Sequence, residues 1–214
     1  MQILFKDDDI IVFIKPAGIL SETGGAGAGR SVSDMLPGIS LFAVHRLDRE
    51  TSGIMVYALN KKSAAALSKS IAAGGFDKKY YAVLKGSPAE AQGLMEDWLI
   101  RDPKRNLTEV TDSPCERAKR ARAEYEIKAE NQGLCLTDIR LLTGRTHQIR
   151  AQFSHRSCPV YGDSRYGGGS GELALFAHSL AFDHPATGER MIFTALPDCE
   201  KFPWNLFAQE DFSV

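Results

Sequence analysis

The stretch on which the interpretation of this chain depends reads His45-Arg46-Leu47-Asp48-Arg49-Glu50-Thr51-Ser52-Gly53. Apolar runs flank it at residues 42–44 and 54–57, and both runs have a composition typical of β-strands. A polar segment between two strands is predicted to be a loop, and loops on a rigid scaffold often carry binding and catalytic residues. We therefore expect this loop to present reactive side chains.

Asp48 is the candidate reactive residue of the loop. Arg46 and Arg49 lie within two positions of it, and a nearby cation keeps a carboxylate ionised when it is partly desolvated. An ionised aspartate can act as a nucleophile, as a base or as a metal ligand. The alternative is a loop aspartate that caps a turn or pairs with an arginine, and the stretch alone fits both interpretations.

This stretch resembles the HRLDxxTSG signature of the RluA-type pseudouridine synthases, which isomerise uridine in RNA. Three further segments are similar to motifs of that family and occur in the same order. They are Lys78-Lys79-Tyr80-Tyr81-Ala82, Leu141-Leu142-Thr143-Gly144-Arg145-Thr146-His147-Gln148-Ile149-Arg150 and Pro159-Val160-Tyr161-Gly162-Asp163-Ser164-Arg165-Tyr166-Gly167. The resemblance extends from about residue 8 to about residue 202, nearly the whole chain.

The resemblance implies an α+β fold. We expect a mixed, mostly antiparallel central sheet, flanked by helices and loops, with a central catalytic cleft. Residues 1–214 are predicted to form a single catalytic domain. Many family members carry an additional N-terminal RNA-binding domain of the S4 type, whereas here the catalytic-type sequence begins at once. We therefore expect the choice of substrate to depend on the one domain.

The resemblance also implies three catalytic residues. Asp48 matches the family's catalytic aspartate and would open the glycosidic bond as a nucleophile or as a base. Tyr80 would stack on the uracil, an interaction worth about 1–3 kcal/mol in other base–aromatic stacks. Arg150 matches the family's basic partner, and such a partner is needed because burying an unpaired carboxylate is costly.

Further residues are predicted to contact the RNA. Arg46 would fill the gap left by a flipped base or hold a phosphate, and Arg145 would contact the backbone. Arg49 and His147 complete the predicted RNA-binding set. Phosphate contacts position RNA without reading its sequence. The family acts on ribosomal and transfer RNA, and both are kept here as substrates.

Positive charge is concentrated in two parts of the chain. Residues 140–165 contain five arginines and one acid, and residues 104–122 contain six basic residues. A locally basic face on a nearly neutral protein is compatible with RNA contact. The alternative is that these cations form an ordinary solvated face or pair with acids elsewhere in the chain.

The composition is that of an ordinary globular protein. The chain has 214 residues, a net charge of −1 and 43% apolar residues. It has no run of about 18 apolar residues, so no contact with a membrane is predicted. Acids near the N-terminus replace the apolar stretch of a secretory signal, which indicates a cytoplasmic protein. A monomer is expected because there is no coiled-coil seam.

No metal and no cofactor are predicted. The four cysteines form no C-x-x-C pair, and the glycine-rich residues 23–30 lack the end of a P-loop, so they are interpreted as a mobile loop. One alternative is a metal-dependent hydrolase using Asp48, His45 and His147, although no H-E-x-x-H pattern supports it. Another is a non-catalytic RNA-binding protein of the same fold.

Alternation of apolar and polar residues predicts most of the secondary structure. Strands are expected at residues 3–5, 10–14, 53–59, 78–85, 94–101, 108–111, 120–129, 134–142, 176–182 and 191–195. Helices are expected at residues 31–36, 61–73 and 146–156. The last helix contains Ala151-Gln152-Phe153 where the family often has V-H-L, and we expect this difference to alter its packing.

Overall fold

A computed structural model of the chain describes residues 1–24 and 29–212. The glycine-rich segment interpreted as a mobile loop has its centre, residues 25–28, outside the described residues. The chain divides into two compact units. Unit 1 comprises Met1–Lys78 and Ala177–Ala195, and unit 2 comprises Lys79–Phe176 and Leu196–Val214.

Eleven strands and three α-helices occur in the described residues. The strands are β1 (Gln2–Lys6), β2 (Ile10–Lys15), β3 (Phe42–Ala43), β4 (Ser52–Ala58), β5 (Asp77–Lys85), β6 (Gln92–Asp102), β7 (Leu107–Thr111), β8 (Lys119–Asn131), β9 (Leu134–Leu141), β10 (Leu175–Asp183) and β11 (Arg190–Thr194). The helices are α1 (Val32–Met35), α2 (Lys61–Ala72) and α3 (Gln148–His155). Every predicted strand and helix is present, and the two-residue β3 coincides with the strand-like run at residues 42–44.

The strands of unit 1 run in the order β1-β2-β4-β10, with β3 paired to β4 and β11 paired to β10. The pairs β1–β2, β2–β4, β3–β4 and β10–β11 are antiparallel. Because alternate residues of a strand share a face, Ile10 and Val12 pack with Ile54 and Val56 in one apolar core. Leu67 of α2 closes this core.

The two helices of unit 1 lie at the predicted residues. The Asn60 side chain caps α2 by accepting the Ser63 amide at 2.8 Å. The α1 turn begins at Ser31, whose amide donates to the Asp34 carboxylate at 2.7 Å. Among the described residues, no helix combines the length and apolar character that crossing a membrane requires.

The strands of unit 2 run in the order β5-β9-β8-β6-β7. The pairs β8–β9, β6–β8 and β6–β7 are antiparallel. Helix α3 packs against β6 and β7, where Ala151 lies in a small core with Leu99 and Ala121. The prediction of a mostly antiparallel α+β architecture is confirmed by these pairings together with those of unit 1.

Helix α3 begins two residues later than predicted. His147 is left-handed, with φ 54° and ψ 24°, so the helix starts at Gln148 and the predicted inclusion of His147 in the helix is wrong. The A-Q-F segment places a polar side chain in the interior. Gln152 is fully buried and its Nε2 donates to Asp97 Oδ2 of β6 at 2.6 Å.

Candidate active site

Asp48 lies in the loop between β3 and β4, as predicted. The amide of Thr51 donates to the Asp48 carbonyl at 3.1 Å, which closes a turn with Arg49 at its tip. The Asp48 residue is half-buried, whereas Arg46 and Arg49 are exposed. The loop therefore holds the carboxylate closer to the protein than the two arginines that flank it.

Ser21 fixes the residue that precedes the aspartate. Its Oγ donates to the Leu47 carbonyl at 2.7 Å and accepts the Leu47 amide at 3.1 Å. The Tyr57 hydroxyl donates to the Ser21 carbonyl, and burial raises the pKa of that tyrosine. Leu47 itself is 4% exposed. Both backbone polar groups of Leu47 are therefore satisfied, and these bonds fix the backbone immediately before Asp48.

Lys15 supports the other side of the loop. This lysine is 0% exposed. Its Nζ donates to the carbonyls of Pro16 at 2.9 Å, Ile19 at 2.8 Å and Arg49 at 3.1 Å. Burial lowers the pKa of Lys15 to about 8, and the negative charge of Asp48 opposes that shift. A buried ammonium is thus coupled to the candidate aspartate and bonded to the residue that follows it.

Two arginines of the loop have defined contacts. Arg49 and Gly18 form two hydrogen bonds. The Gly18 amide donates to the Arg49 carbonyl at 2.8 Å, and Arg49 Nε donates to the Gly18 carbonyl at 3.1 Å. Arg46 lies 4.0 Å from Glu22, and both of these side chains are exposed. These contacts use part of each guanidinium and leave both side chains at the surface.

His45 is held as a neutral ring. Its Nε2 accepts the Val56 amide at 3.1 Å, which places the imidazole proton on Nδ1. Burial, with a smaller contribution from Lys78, lowers the pKa of His45 well below its usual value. Because Nε2 is engaged by a backbone amide, this histidine is poorly suited to metal ligation.

Gly53 ends the polar stretch at a position that requires glycine. Its φ is +125°, and an added Cβ would lie 2.4 Å from the backbone nitrogen and oxygen of Ala177. The close approach lets β4 begin directly beside β10. The glycine of the signature therefore has a packing role that fixes where the Asp48 loop ends.

The tyrosines of β5 follow the predicted alternation. Tyr80 is 7% exposed and Tyr81 is 0% exposed. The Tyr81 ring meets Phe212 edge-on, with ring centroids 5.3 Å apart. Tyr81 is thus a core residue of unit 2, and Tyr80 lies on the opposite face of the strand, as a ligand-contacting residue of that strand would.

Arg150 is clamped in unit 2 by two neighbours. Its Nε and Nη2 donate to the two carboxylate oxygens of Asp163 at 2.6 and 2.8 Å. Its guanidinium carbon lies 5.1 Å from the centroid of the Tyr166 ring. The Arg150 residue is only 3% exposed. A bidentate pair combined with stacking fixes the plane of the guanidinium.

Tyr166 also links α3 to β7. Its hydroxyl accepts the Thr108 amide at 2.7 Å and lies 3.0 Å from His147 Nδ1. Burial raises the pKa of Tyr166. His147 is 8% exposed, so it is a buried residue of this cluster. The exposed Arg145 donates from Nε to the Arg120 carbonyl at 3.1 Å.

Sequence reasoning assigned no role to Lys15, Ser21, Asp163 or Tyr166. Asp163 and Tyr166 belong to the segment at residues 159–167 that resembles a family motif. That signal could have identified them. Nothing local in the sequence distinguishes Lys15, which is buried, from an exposed lysine.

The predicted catalytic residues are distributed over both units. Asp48 belongs to unit 1, together with Arg46 and Arg49, while Tyr80 and Arg150 belong to unit 2. Within unit 2, the structure brings Arg150 and His147 to the same tyrosine, Tyr166.

The metal-hydrolase alternative gains no support from the described residues. The group of acidic and histidine side chains with ligand atoms close enough to share an ion consists of Asp7, Asp9 and His184. It contains none of the three residues of that alternative. His184 Nε2 is already engaged with Asp7 Oδ2 at 2.9 Å.

Comparison with known proteins identifies the family. The sequence model of a protein family described as RNA pseudouridylate synthase matches residues 9–155. The chain belongs to the RNA pseudouridylate synthase family. The resemblance inferred from four short motifs is therefore confirmed, and the match includes the candidate aspartate, the β5 tyrosine and Arg150.

Several family members are similar over most of this chain. Ribosomal large subunit pseudouridine synthase C of Haemophilus ducreyi is 30% identical over 209 residues, covering 91% of this chain and 65% of that protein. An uncharacterized RNA pseudouridine synthase of Zymomonas mobilis is 33% identical over 214 residues, covering 92% of this chain and 96% of that protein. This chain thus spans just under two thirds of the named Haemophilus relative.

Two solved structures share the fold. Human RNA Pseudouridylate Synthase Domain Containing 4 has a TM-score of 0.76 at 23% identity, covering 92% of this chain and 89% of that chain. Human RNA Pseudouridylate Synthase Domain Containing 1 has a TM-score of 0.74 at 23% identity, covering 92% and 83%. These likenesses confirm the predicted fold class.

Proposed function

We propose that this chain isomerises uridine to pseudouridine in RNA and that Asp48 is the catalytic aspartate. The observation that carries the proposal is the support of the Asp48 loop. Leu47, before the aspartate, is bonded at both backbone groups by Ser21, and the carbonyl of Arg49, after it, is bonded by Lys15. Catalytic groups need this kind of preorganisation, because a loosely held side chain loses its productive geometry.

The reaction is an isomerisation and balances without a cofactor. The bond between N1 of uracil and C1′ of ribose breaks, and a bond between C5 and C1′ forms. C5 loses its proton and N1 gains one, so no atom is added to the nucleoside. A base stacked in a helix cannot turn in this way, so the target uridine must be unpaired or flipped out.

Each proposed catalytic residue has a separate role. Asp48 acts as the nucleophile or as the base when the glycosidic bond opens. Tyr80 stacks on the uracil while it turns, and its position on the face of β5 opposite to the core residue Tyr81 suits that role. Arg150 is the basic group that the family pairs with its aspartate, and Asp163 and Tyr166 support its orientation.

The exposed arginines are the proposed RNA contacts. Arg46, Arg49 and Arg145 reach the surface, where guanidinium groups bind phosphates. Contact of His147 with RNA stays a prediction. The burial of His147 and its contact with the Tyr166 hydroxyl also favour a second role, in which it holds Tyr166 in place.

Ribosomal RNA of the large subunit is the favoured substrate, because the Haemophilus relative carries that substrate in its name. Transfer RNA is the alternative that the family resemblance leaves open. We also propose that the chain forms a single catalytic domain, is monomeric and is located in the cytoplasm. The non-catalytic RNA-binding protein is retained as the second candidate, to be separated by experiment.

The test uses RNA labelled with tritium at C5 of uridine, taken from cells that lack this protein. Because C5 gives up its hydrogen, each isomerisation releases one tritium into water. We expect release from large-subunit ribosomal RNA, at one or a few sites that chemical mapping then locates. Tritium release from transfer RNA alone would show that transfer RNA is the substrate. RNA binding without tritium release would favour the non-catalytic candidate.

A further inference from the structure

A cavity of about 470 Å³ opens in unit 2 between β7 and the C-terminal half of α3. It lies within one unit, and its walls contain none of the proposed catalytic residues. The polar side chains that line it are Arg105, Thr108, Ser154, His155, Arg165 and Tyr166, beside one acid, Glu109. Cavities of about 300–1,000 Å³ are the size that holds small organic groups.

The walls carry more positive than negative charge. Arg105 is paired with Glu109 at 3.0 Å, and both side chains are more than half exposed. Arg165 is exposed, and the residues described by the structure include no ion-pair partner for it. His155 adds an exposed imidazole. Because Arg105 is paired with Glu109, Arg165 is the arginine of the cavity that is available to bind an anion.

Thr108 joins this wall of the cavity to Tyr166. Its amide donates to the Tyr166 hydroxyl at 2.7 Å. Thr108 is only 2% exposed, so its side chain is out of reach of a molecule in the cavity. The exposed donors at the cavity are therefore the side chains of Arg105, Arg165 and His155.

The turn that presents Arg105 is held in a defined shape. Asn106 has a φ of 52°, and the Arg105 amide donates to Asp102 Oδ1 at 3.2 Å. The Arg165 amide, also at the cavity wall, donates to Asp163 Oδ1 at 3.2 Å. Both cations therefore stand on short turns that are tied to an aspartate.

We propose that this cavity binds a phosphodiester of the RNA substrate, outside the uridine that is isomerised, with Arg165 as the principal cation. A phosphodiester offers only acceptor oxygens and one negative charge, which match guanidinium and imidazole donors. A chain with a net charge of −1 needs local cationic sites to hold RNA at all. The inference rests on the proposed function, because it takes RNA to be the substrate.

Arg165 is the residue to change. Tyr166 also lines the cavity, but it supports Arg150, so a change there would alter both. For Arg165→Gln we expect RNA to bind about tenfold more weakly, with the slope of log affinity against log salt reduced by about one, as for one lost phosphate contact. The loss should appear in Kd and KM. The melting temperature should not move, because the Arg165 side chain is exposed.

Two matched variants make the result specific. Arg190→Gln removes the same charge at an exposed position of unit 1 and should leave the salt slope unchanged. Glu109→Gln removes the one acid of the cavity and should tighten RNA binding about two- to threefold. Equal effects of Arg165→Gln and Arg190→Gln on the salt slope, or wild-type binding by both Arg165→Gln and Glu109→Gln, would overturn the proposal.

Binding is measured separately from turnover, by titrating labelled RNA with the full chain at several salt concentrations. Wild-type turnover combined with unchanged binding by the cavity variants would remove the cavity proposal alone. Absence of tritium release from any RNA by the wild type would remove the proposed function, while the shifts in the salt slope would still decide whether the cavity holds a phosphate.

Discussion

The guanidinium of Arg150 and the carboxylate of Asp163 form a two-point ion pair, with nitrogen–oxygen distances of 2.6 and 2.8 Å. The two side chains are 4% and 0% exposed. Charges this deeply buried are tolerated only when they are paired and hydrogen-bonded. The orientation of the proposed basic residue therefore depends on an aspartate that follows it by 13 positions.

Asp163→Asn should destabilise the protein strongly, because it removes a charged partner of a buried guanidinium. We expect a loss of about 3–5 kcal/mol in the free energy of unfolding, measured by denaturant titration. Asp183→Asn is the control, since the Asp183–Arg190 pair is about half exposed and should cost less than about 1 kcal/mol. Similar losses for the two variants would contradict the structural role given to Asp163.

Lys15→Met should weaken the support of the Asp48 loop. The change removes one donor from each of three backbone carbonyls, those of Pro16, Ile19 and Arg49, and only the Gly18 amide still donates to that of Arg49. We expect a loss of about 2–3 kcal/mol in the free energy of unfolding near neutral pH. Turnover should fall more than RNA affinity, because the loop is displaced while the exposed arginines remain. A variant with wild-type turnover would show that this lysine does not position the loop.

The same lysine predicts a dependence of stability on pH. Its pKa is about 8 in the folded chain and 10.5 in the reference state. Between these values the unfolded chain binds more protons, so this group's contribution to the free energy of unfolding increases with pH. The stability difference between wild type and Lys15→Met should therefore widen as the pH rises through that window. A difference that is constant with pH would contradict the lowered pKa.

Tyr80→Phe should retain more activity than Tyr80→Ala, because stacking on the uracil needs the ring. The alanine variant should lose about 1–3 kcal/mol of interaction with the base, seen as reduced kcat/KM in the tritium-release assay. Tyr81→Phe serves as the control on the core face of β5. Equal losses for the two Tyr80 variants would transfer the role from the ring to the hydroxyl.

Gly53→Ala should disrupt the end of the Asp48 loop. Its φ of +125° and the 2.4 Å approach to Ala177 leave no room for a methyl group, so we expect a loss of more than about 3 kcal/mol. Gly188→Ala is the matched control, with a φ of +75° and open space around the added atom. Its loss should be about 1 kcal/mol. Thermal unfolding of both variants separates the clash from backbone strain.

The strands and the helix boundaries of unit 1 could be predicted because their signals are local. Alternation placed β2 and β4 to within one residue, and the helix predicted at residues 61–73 is α2 (Lys61–Ala72). The start of α3 could not be predicted, because His147 is left-handed and its ring meets Tyr166, which lies 19 residues further along the chain.

The candidate site was predicted in part for the same reason. The motifs identified Asp48, Tyr80 and Arg150 as candidates, but they did not reveal what holds each residue in place. Local reasoning proposed Arg46 and Arg49 as the cations that act on Asp48. The structure adds Lys15, a cation 33 positions before the aspartate in sequence, which no pattern around Asp48 could indicate.

The most direct test of the central claim compares the wild type with Asp48→Asn on large-subunit ribosomal RNA from cells that lack this protein. The variant keeps the shape of the side chain and removes its charge, so folding and RNA binding, checked by melting temperature and titration, should be retained. We predict tritium release and one or a few mapped pseudouridines with the wild type, and neither with the variant. Asp48→Asn turnover close to that of the wild type would contradict the assignment of the catalytic aspartate.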